Sequence, residues 1–390
     1  AQPLAAAIPP IARTLPLRPS ALALRQKIDR AEPPRACNWV RSESFPPPQR
    51  QLVSYASEAE FKGAGNHMPN AGNRDFRQGA FYAERAAASI LSDPASPARQ
   101  PFADALLANA RARAGLDLSR LVSPGLGRPV ATPDSAAALE DTVAWTLGYM
   151  MVGADLGLTP AEHGTVEAWL GALLDTYVDG YRRWHGTDEL RSRWLVAQGE
   201  MVRALFQGDA AAFNRAVGPA VDYAAHVRPD GSHRFGASRG YRAVYYQGVA
   251  INNTVETMLL LDSQGLPGRA VLLPVILRMA DFWADAYRDP SVIYPYAREN
   301  VSAGTGSDWR RQERLQVLAT IDVIMALAPG DPATAKLAAI RPDHPHGTLY
   351  TPSFNMTCIA AGLDGLDVRA PARFSGMNRR FPPCPTSRPR

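Results

Sequence analysis

Apolar residues recur at helical spacing through the middle of the chain. After Asp134-Ser135, the residues Leu139, Val143, Leu147 and Met150 fall on one face. Thr159-Pro160-Ala161-Glu162 then reads as a capping box with proline at the first helical position. Val166, Trp169, Leu170, Leu173, Leu174 and Tyr177 carry that helix onward. A third helix is predicted over about 189–207, with Trp194, Val202, Leu205 and Phe206 inward and Gly208 as its stop. A fourth runs over about 210–227 on Phe213, Val217 and Val221, until Arg228-Pro229-Asp230-Gly231 breaks the pattern as a turn. Further helices are predicted near 80–92, 101–114, 243–262, 269–287 and 310–327. No alternating strand run of comparable length occurs. Helices of this length joined by short loops predict an all-α array of helical hairpins, open as a solenoid or curled into a toroid. Periodicity leaves both open, although no fixed 34-residue repeat is present.

Proline marks the borders of this array. Ten of the 34 prolines fall in residues 1–50 and five in 371–390, whereas 136–261 holds only Pro160, Pro219 and Pro229. The ends are therefore read as extended, Pro-rich segments. The division is an N-terminal segment with a possible lid loop over 1–75, a helical domain over 76–365, and a Pro/Arg-rich tail over 366–390. The chain begins Ala1-Gln2-Pro3, which reads as a mature end left by signal-peptide cleavage or as a trimmed chain. Cys37, Cys358 and Cys384 lack metal-type spacing; one disulfide and one free thiol fit an oxidising compartment, with the pairing open. The expected location is periplasmic or secreted.

The net charge is +5, and all basic residues but Lys27, Lys62 and Lys336 are arginine. Genomic base composition explains most of that bias. Arginines are scattered among acids rather than blocked, which argues against a nucleic-acid partner. No run reaches the roughly 18 apolar residues of a membrane span, so no membrane insertion is expected. GxSxG, P-loop and GxGxxG patterns are missing, which argues against serine hydrolases and nucleotide enzymes. Asp343-His344-Pro345-His346 has metal-ligand residue types on a poor scaffold, so neither metal nor cofactor is expected.

The densest chemistry lies between Asp230 and Gln247, with Arg234, Arg239, Arg242, His233, Tyr241, Tyr245 and Tyr246 in eighteen residues. Were the stretch one helix, Arg239, Arg242 and Tyr246 would share a face. Arginine beside tyrosine suits β-elimination on a uronate polymer. A cation neutralises the C5 carboxylate and lowers the C5–H pKa, and a tyrosine moves the proton. The plain alternative is a helix start with surface arginines and core-edge tyrosines.

Three stretches resemble the alginate lyase family of α/α-toroid polysaccharide lyases. Val166-Glu-Ala-Trp-Leu170 resembles its Glu-Ser-Trp helix. Trp194-Leu-Val-Ala-Gln198 with Ala204-Leu-Phe-Gln-Gly-Asp209 resembles its Trp-rich helix and the turn that ends it. Asp230-Gly231 to Tyr246 resembles its Arg-Ala-Leu-x-Tyr segment, with Arg242-Ala-Val-Tyr-Tyr246 in that place. Phe354-Asn-Met-Thr-Cys358 is a weaker echo. The resemblance covers about a quarter of the chain and implies an incomplete (α/α) toroid.

It also breaks. The family's Asn-Asn-His motif, which holds a carboxylate neutraliser and a catalytic histidine, is replaced by Glu189-Leu190-Arg191-Ser192-Arg193, and a further tyrosine of the family falls on Val249. The resemblance therefore implies a rebuilt catalytic set of Tyr246, Arg242, Tyr245 and Arg239. Substrate contacts are expected from Arg191, Arg193, His233, Arg234, Trp194, His185, Asn253 and Arg314. An arginine is always protonated, so a tyrosine is preferred as the proton-transfer group. The expected partner is an acidic bacterial exo- or capsular polysaccharide, a Vi-type aminouronan being one candidate. Two alternatives remain: a non-catalytic anionic-polysaccharide-binding protein of an export system, and an α/α-barrel glycoside hydrolase using Asp188 or Glu189 with a second acid.

Overall fold

The structure is a computed structural model that describes residues 4–17, 83, 86–87, 90, 95–113, 122–123, 128–129, 136–185, 190–240, 243–297 and 320–340. The helices are α1 (Arg99–Arg113), α2 (Ala136–Val152), α3 (Pro160–His185), α4 (Leu190–Gln207), α5 (Ala210–Ala225), the one-turn α6 (Arg234–Ala237), α7 (Ala243–Ser263), α8 (Gly268–Arg288), α9 (Tyr294–Ala297), α10 (Ile321–Leu327) and α11 (Pro332–Ile340). A two-residue antiparallel ladder, Val122–Ser123 with Arg128–Pro129, is the extended element among the described residues. The all-α architecture expected from periodicity is the one observed.

The element borders follow local chemistry. Thr159 and Glu162 form the predicted capping box: the Thr159 amide donates to Glu162 Oε2 at 3.0 Å and the Glu162 amide to Thr159 Oγ1 at 3.3 Å. α3 runs two turns past Tyr177, because Val178 and Tyr181 continue the buried stripe. Gly208, at φ +72°, ends α4, and Asp209 caps α5 by accepting from the Ala212 amide at 2.9 Å. Buried Ala83, Ala86, Ala87 and Ile90 are helical and keep the i, i+3, i+4, i+7 spacing of the helix predicted there.

Consecutive helices pack as hairpins: α2 on α3, α3 on α4, α4 on α5, and α7 on α8, with α2 reaching α4 and α5 reaching α7. Trp145, Trp194 and Trp283 lie fully inside. Each such side chain stabilises the fold by roughly 3 kcal/mol through removal of apolar surface from water. α7 is buried all round from Gln247 to Leu261, which marks a central helix rather than an amphipathic surface one. Residues 4–17 run across the array as a strap. Asn214 and Gln264 each clamp its backbone with both amide groups, at Ile11 and Leu15.

No helix among the described residues is long and apolar enough to cross a membrane. The expectations placed on Cys37, Cys358, Cys384, the possible lid loop, Arg314 and the histidines at 344 and 346 lie outside the described residues.

Candidate functional site

The turn at 228–232 and the one-turn helix α6 bring the Arg/Tyr-rich stretch against the start of α7. Glycine makes this possible twice. At Gly231, with φ +91°, a Cβ would sit 2.1 Å from the Arg278 carbonyl oxygen; at Gly236 it would sit 2.7 Å from the Tyr246 carbonyl oxygen. Side chains at these positions would hold α6 off α7 and α8.

This stretch is not one helix. α6 ends at Ala237 and α7 begins at Ala243, so Arg239 lies in the connecting segment and the predicted helical face does not exist. Arg239 reaches Tyr246 by another route. Its guanidinium lies 4.4 Å over the Phe235 ring and 4.7 Å over the Tyr246 ring. Tyr246 meets Phe235 edge-on at 5.6 Å and Tyr245 at 5.0 Å. These contacts fix the phenol while leaving Tyr245 and Tyr246 only half-buried.

Arg191 lies in the first turn of α4. It pairs with Glu140 of α2 at 3.1 Å, with 21% and 10% of the two side chains exposed. Burial works against its charge, but Glu140, with Tyr181, Tyr246 and Tyr245 close enough to act on it, outweighs burial and holds the guanidinium protonated above its usual range. Its Nε is buried without a hydrogen-bond partner. Next to it, the buried Ser192 hydroxyl lies 3.3 Å from the Tyr181 hydroxyl. Arg191 is thus held by Glu140 on one side of this region, and the Arg239 guanidinium stacks on Tyr246.

The remaining predicted residues divide. Arg193 points to the other side of α4, where it pairs with Asp222 at 3.1 Å, a carboxylate also 3.6 Å from His226. Helical geometry separates it from Arg191 by about 200°. Trp194 is 1% exposed, and its indole donates to Thr257 Oγ1 at 3.0 Å, which makes it a core residue. His233 is fully buried and caps α6, accepting from the Gly236 amide at Nδ1 and donating from Nε2 to the Tyr223 carbonyl at 2.9 Å. Burial depresses its pKa to about 4, with His226 and Arg228 adding to the effect. Neutral and enclosed, it is a structural cap rather than a substrate contact. Asn253 is buried and donates to the Tyr223 hydroxyl at 3.4 Å. Arg234 is exposed at the start of α6. Arg242, Arg314 and the His185 side chain lie outside the described residues, as do Asp188 and Glu189.

Glu140, Tyr181, Ser192 and Phe235 join the site without having been predicted. Tyr181 and Phe235 offered a signal as aromatics beside arginines; Glu140 offered none, since it sits 51 residues from its partner.

A cavity of about 1280 Å³ lies elsewhere, between the 228–232 turn and the ends of α7, α8 and α11. Its lining carries Asp230, Asp262, Asp281 and Asp331 against Arg269 and Arg278. That charge balance disfavours a polyanion, so size here does not coincide with the arginine chemistry.

No protein-family model matches the chain, and no curated protein sequence matches it. A solved structure does: a variant of alginate lyase A1-III complexed with a tetrasaccharide, with TM-score 0.52 and 14% identity over 75% of this chain and 84% of that one. The two share the α/α toroid fold. This resolves the choice that periodicity left open, in favour of a curled array of hairpins.

Proposed function

We propose that the chain is a polysaccharide lyase that cleaves a uronate-containing exo- or capsular polysaccharide by β-elimination. The observation that carries this reading is Tyr246, held between Phe235, Tyr245 and the stacked Arg239. A guanidinium binds the substrate's carboxylate and draws charge from C5. A tyrosine, as its phenolate, takes the C5 proton; the C5–H electron pair forms the C4–C5 double bond as the C4–O bond breaks, and the leaving oxygen is protonated by that phenol or by water. The product carries a C4–C5 double bond at its new non-reducing end. Arg239 and Arg191 supply the cations, and Tyr246 transfers protons with Tyr245 beside it. A polymer of N-acetylated aminouronate, of the Vi type, is the substrate we favour, because the replaced Asn-Asn-His motif calls for a different ring stereochemistry. Periplasmic or secreted placement goes with such a substrate.

The Glu140–Arg191 pair favours one second reading, a non-catalytic binder of anionic polysaccharide, because the carboxylate cancels part of the charge that catalysis would use. A panel of acidic polysaccharides separates the readings. The lyase produces the ultraviolet absorbance of an unsaturated uronate on at least one polymer, and Tyr246→Phe abolishes it. Binding without that absorbance on every polymer overturns the lyase reading, and reducing ends without the chromophore identify a hydrolase.

A further inference from the structure

We propose that Asn214 and Gln264 form a peptide-docking site that reads main chain, and that residues 4–17 of a second copy fill it in exchange for the chain's own strap. The site lies past the opposite end of α7 from Tyr246 and stands apart from the lyase reading.

Two carboxamides make the site. Asn214, on α5, accepts from the Ile11 amide at 2.9 Å and donates Nδ2 to the Ile11 carbonyl at 2.8 Å. Gln264, just after α7, accepts from the Leu15 amide at 2.6 Å and donates Nε2 to the Leu15 carbonyl at 3.0 Å. Each carboxamide thus gives one residue the pair of bonds that a neighbouring β-strand would give it. Pro9, Pro10 and Pro16 keep the segment out of a helix, whose own bonds would compete for these groups. Among the described residues no main-chain bond joins the strap to the helices beneath it, so the two side chains do that work.

The rest of the hold is slight. Leu17 is buried, and Ile8 and Ile11 pack against the core, whereas Ala12, Arg13, Leu15 and Pro16 are exposed. A segment with few buried side chains opens at a lower free energy than the helices it crosses, so its release needs no unfolding of the toroid. A second copy carries the identical segment, and the bonds to Asn214 and Gln264 are the same whichever chain supplies it. Residues 18–82 lie between Leu17 and Ala83, up to about 200 Å of contour, which lets one copy's strap reach another copy's groove. The balance between own and exchanged strap is then set by protein concentration.

Two tagged forms of the full-length chain are mixed at high concentration, diluted and captured through one tag, with light scattering giving the mass of what elutes. The second form is co-captured in dimers. Its fraction falls about tenfold or more in Asn214→Leu/Gln264→Met, which keeps side-chain size and removes the carboxamide bonds. A synthetic peptide of residues 1–17, in excess, blocks co-capture. The same peptide methylated on the nitrogens of Ile11 and Leu15 keeps every side chain but lacks both N–H donors, and blocks about tenfold less well. Exchanging the exposed Arg13 for alanine in the peptide changes blocking by less than about threefold. A chain that stays monomeric at every concentration overturns the proposal. So does a methylated peptide that blocks as well as its parent, or co-capture unchanged in a double variant that still melts cooperatively. Dimers that neither peptide blocks form through another surface and overturn it as well. Should the double variant lose its cooperative melt, the two peptides decide the outcome on the unsubstituted chain.

Discussion

Two stretches of α7 hold their polar residues in opposite ways. From Gln247 to Thr257 the polar side chains are committed to the fold. Gln247 binds the His233 amide and the Gly231 carbonyl, and Asn252 accepts from Thr320. Asn253 donates to Tyr223, Glu256 accepts from Gln198, and Thr257 accepts from Trp194. Immediately before it, in the first turn of the helix, Tyr245 and Tyr246 are half-buried and held by ring contacts and a stacked guanidinium. A buried polar group without a partner costs more than it returns, so each of these side chains is given at least one. The outer stretch is held by its rings. Polar density alone therefore does not mark a site; the manner of holding does.

That contrast can be broken at several points. The largest effect is expected inside. Trp194→Ala removes a fully buried indole and the donor to Thr257, and should lower stability by roughly 3–5 kcal/mol in urea melts; a loss below about 1 kcal/mol would remove the buried polar seam as an explanation.

Next comes acid. His233 stays neutral down to about pH 4 when folded and protonates near pH 6.5 when unfolded. Between those values the unfolded chain binds the extra proton, so this contribution is complete above pH 6.5 and lost as pH falls toward 4. The change amounts to about 3 kcal/mol. Denaturant melts at the two ends of that window measure it, and a slope that persists unchanged in His233→Asn would assign the loss to other groups.

Tyr246→Phe tests the outer stretch. It should cut the elimination rate by about a hundredfold or more while leaving the melt within roughly 0.5 kcal/mol. A variant that melts early but turns over normally would move Tyr246 into the structural group. The smallest effect belongs to Arg193→Ala. Its pair with Asp222 is over a third exposed on both sides, so the change should cost less than about 1 kcal/mol and leave the rate untouched. A large rate loss would return Arg193 to the site.

Much of the fold was legible because its signals are local. Capping at Thr159 and Asp209, the stop at Gly208 and the apolar stripes each act within a turn or two of chain. α11 was missed although Asp331-Pro332 repeats the start signal seen at Thr159-Pro160, with Asp331 accepting from the Ala333 amide at 2.8 Å. Its short apolar stripe hid it. The site was half legible. Tyr246, Tyr245 and Arg239 touch one another and Arg191 pairs with Glu140, whereas Trp194, His233 and Asn253 turn inward. Both groups are polar or aromatic side chains; burial and partner separate them, and neither is a local property.

By itself, then, the sequence determined most of the helices, several of their borders and the concentration of arginines and tyrosines in the 230–247 stretch, because spacing, capping and side-chain type act over a few residues. Only the tertiary structure decided that Arg191 meets Glu140 across two helices, that Arg239 reaches Tyr246 from outside any helix, and that Arg193 faces away. Those outcomes depend on how α2, α3, α4 and α7 pack, and packing joins residues that no local pattern connects.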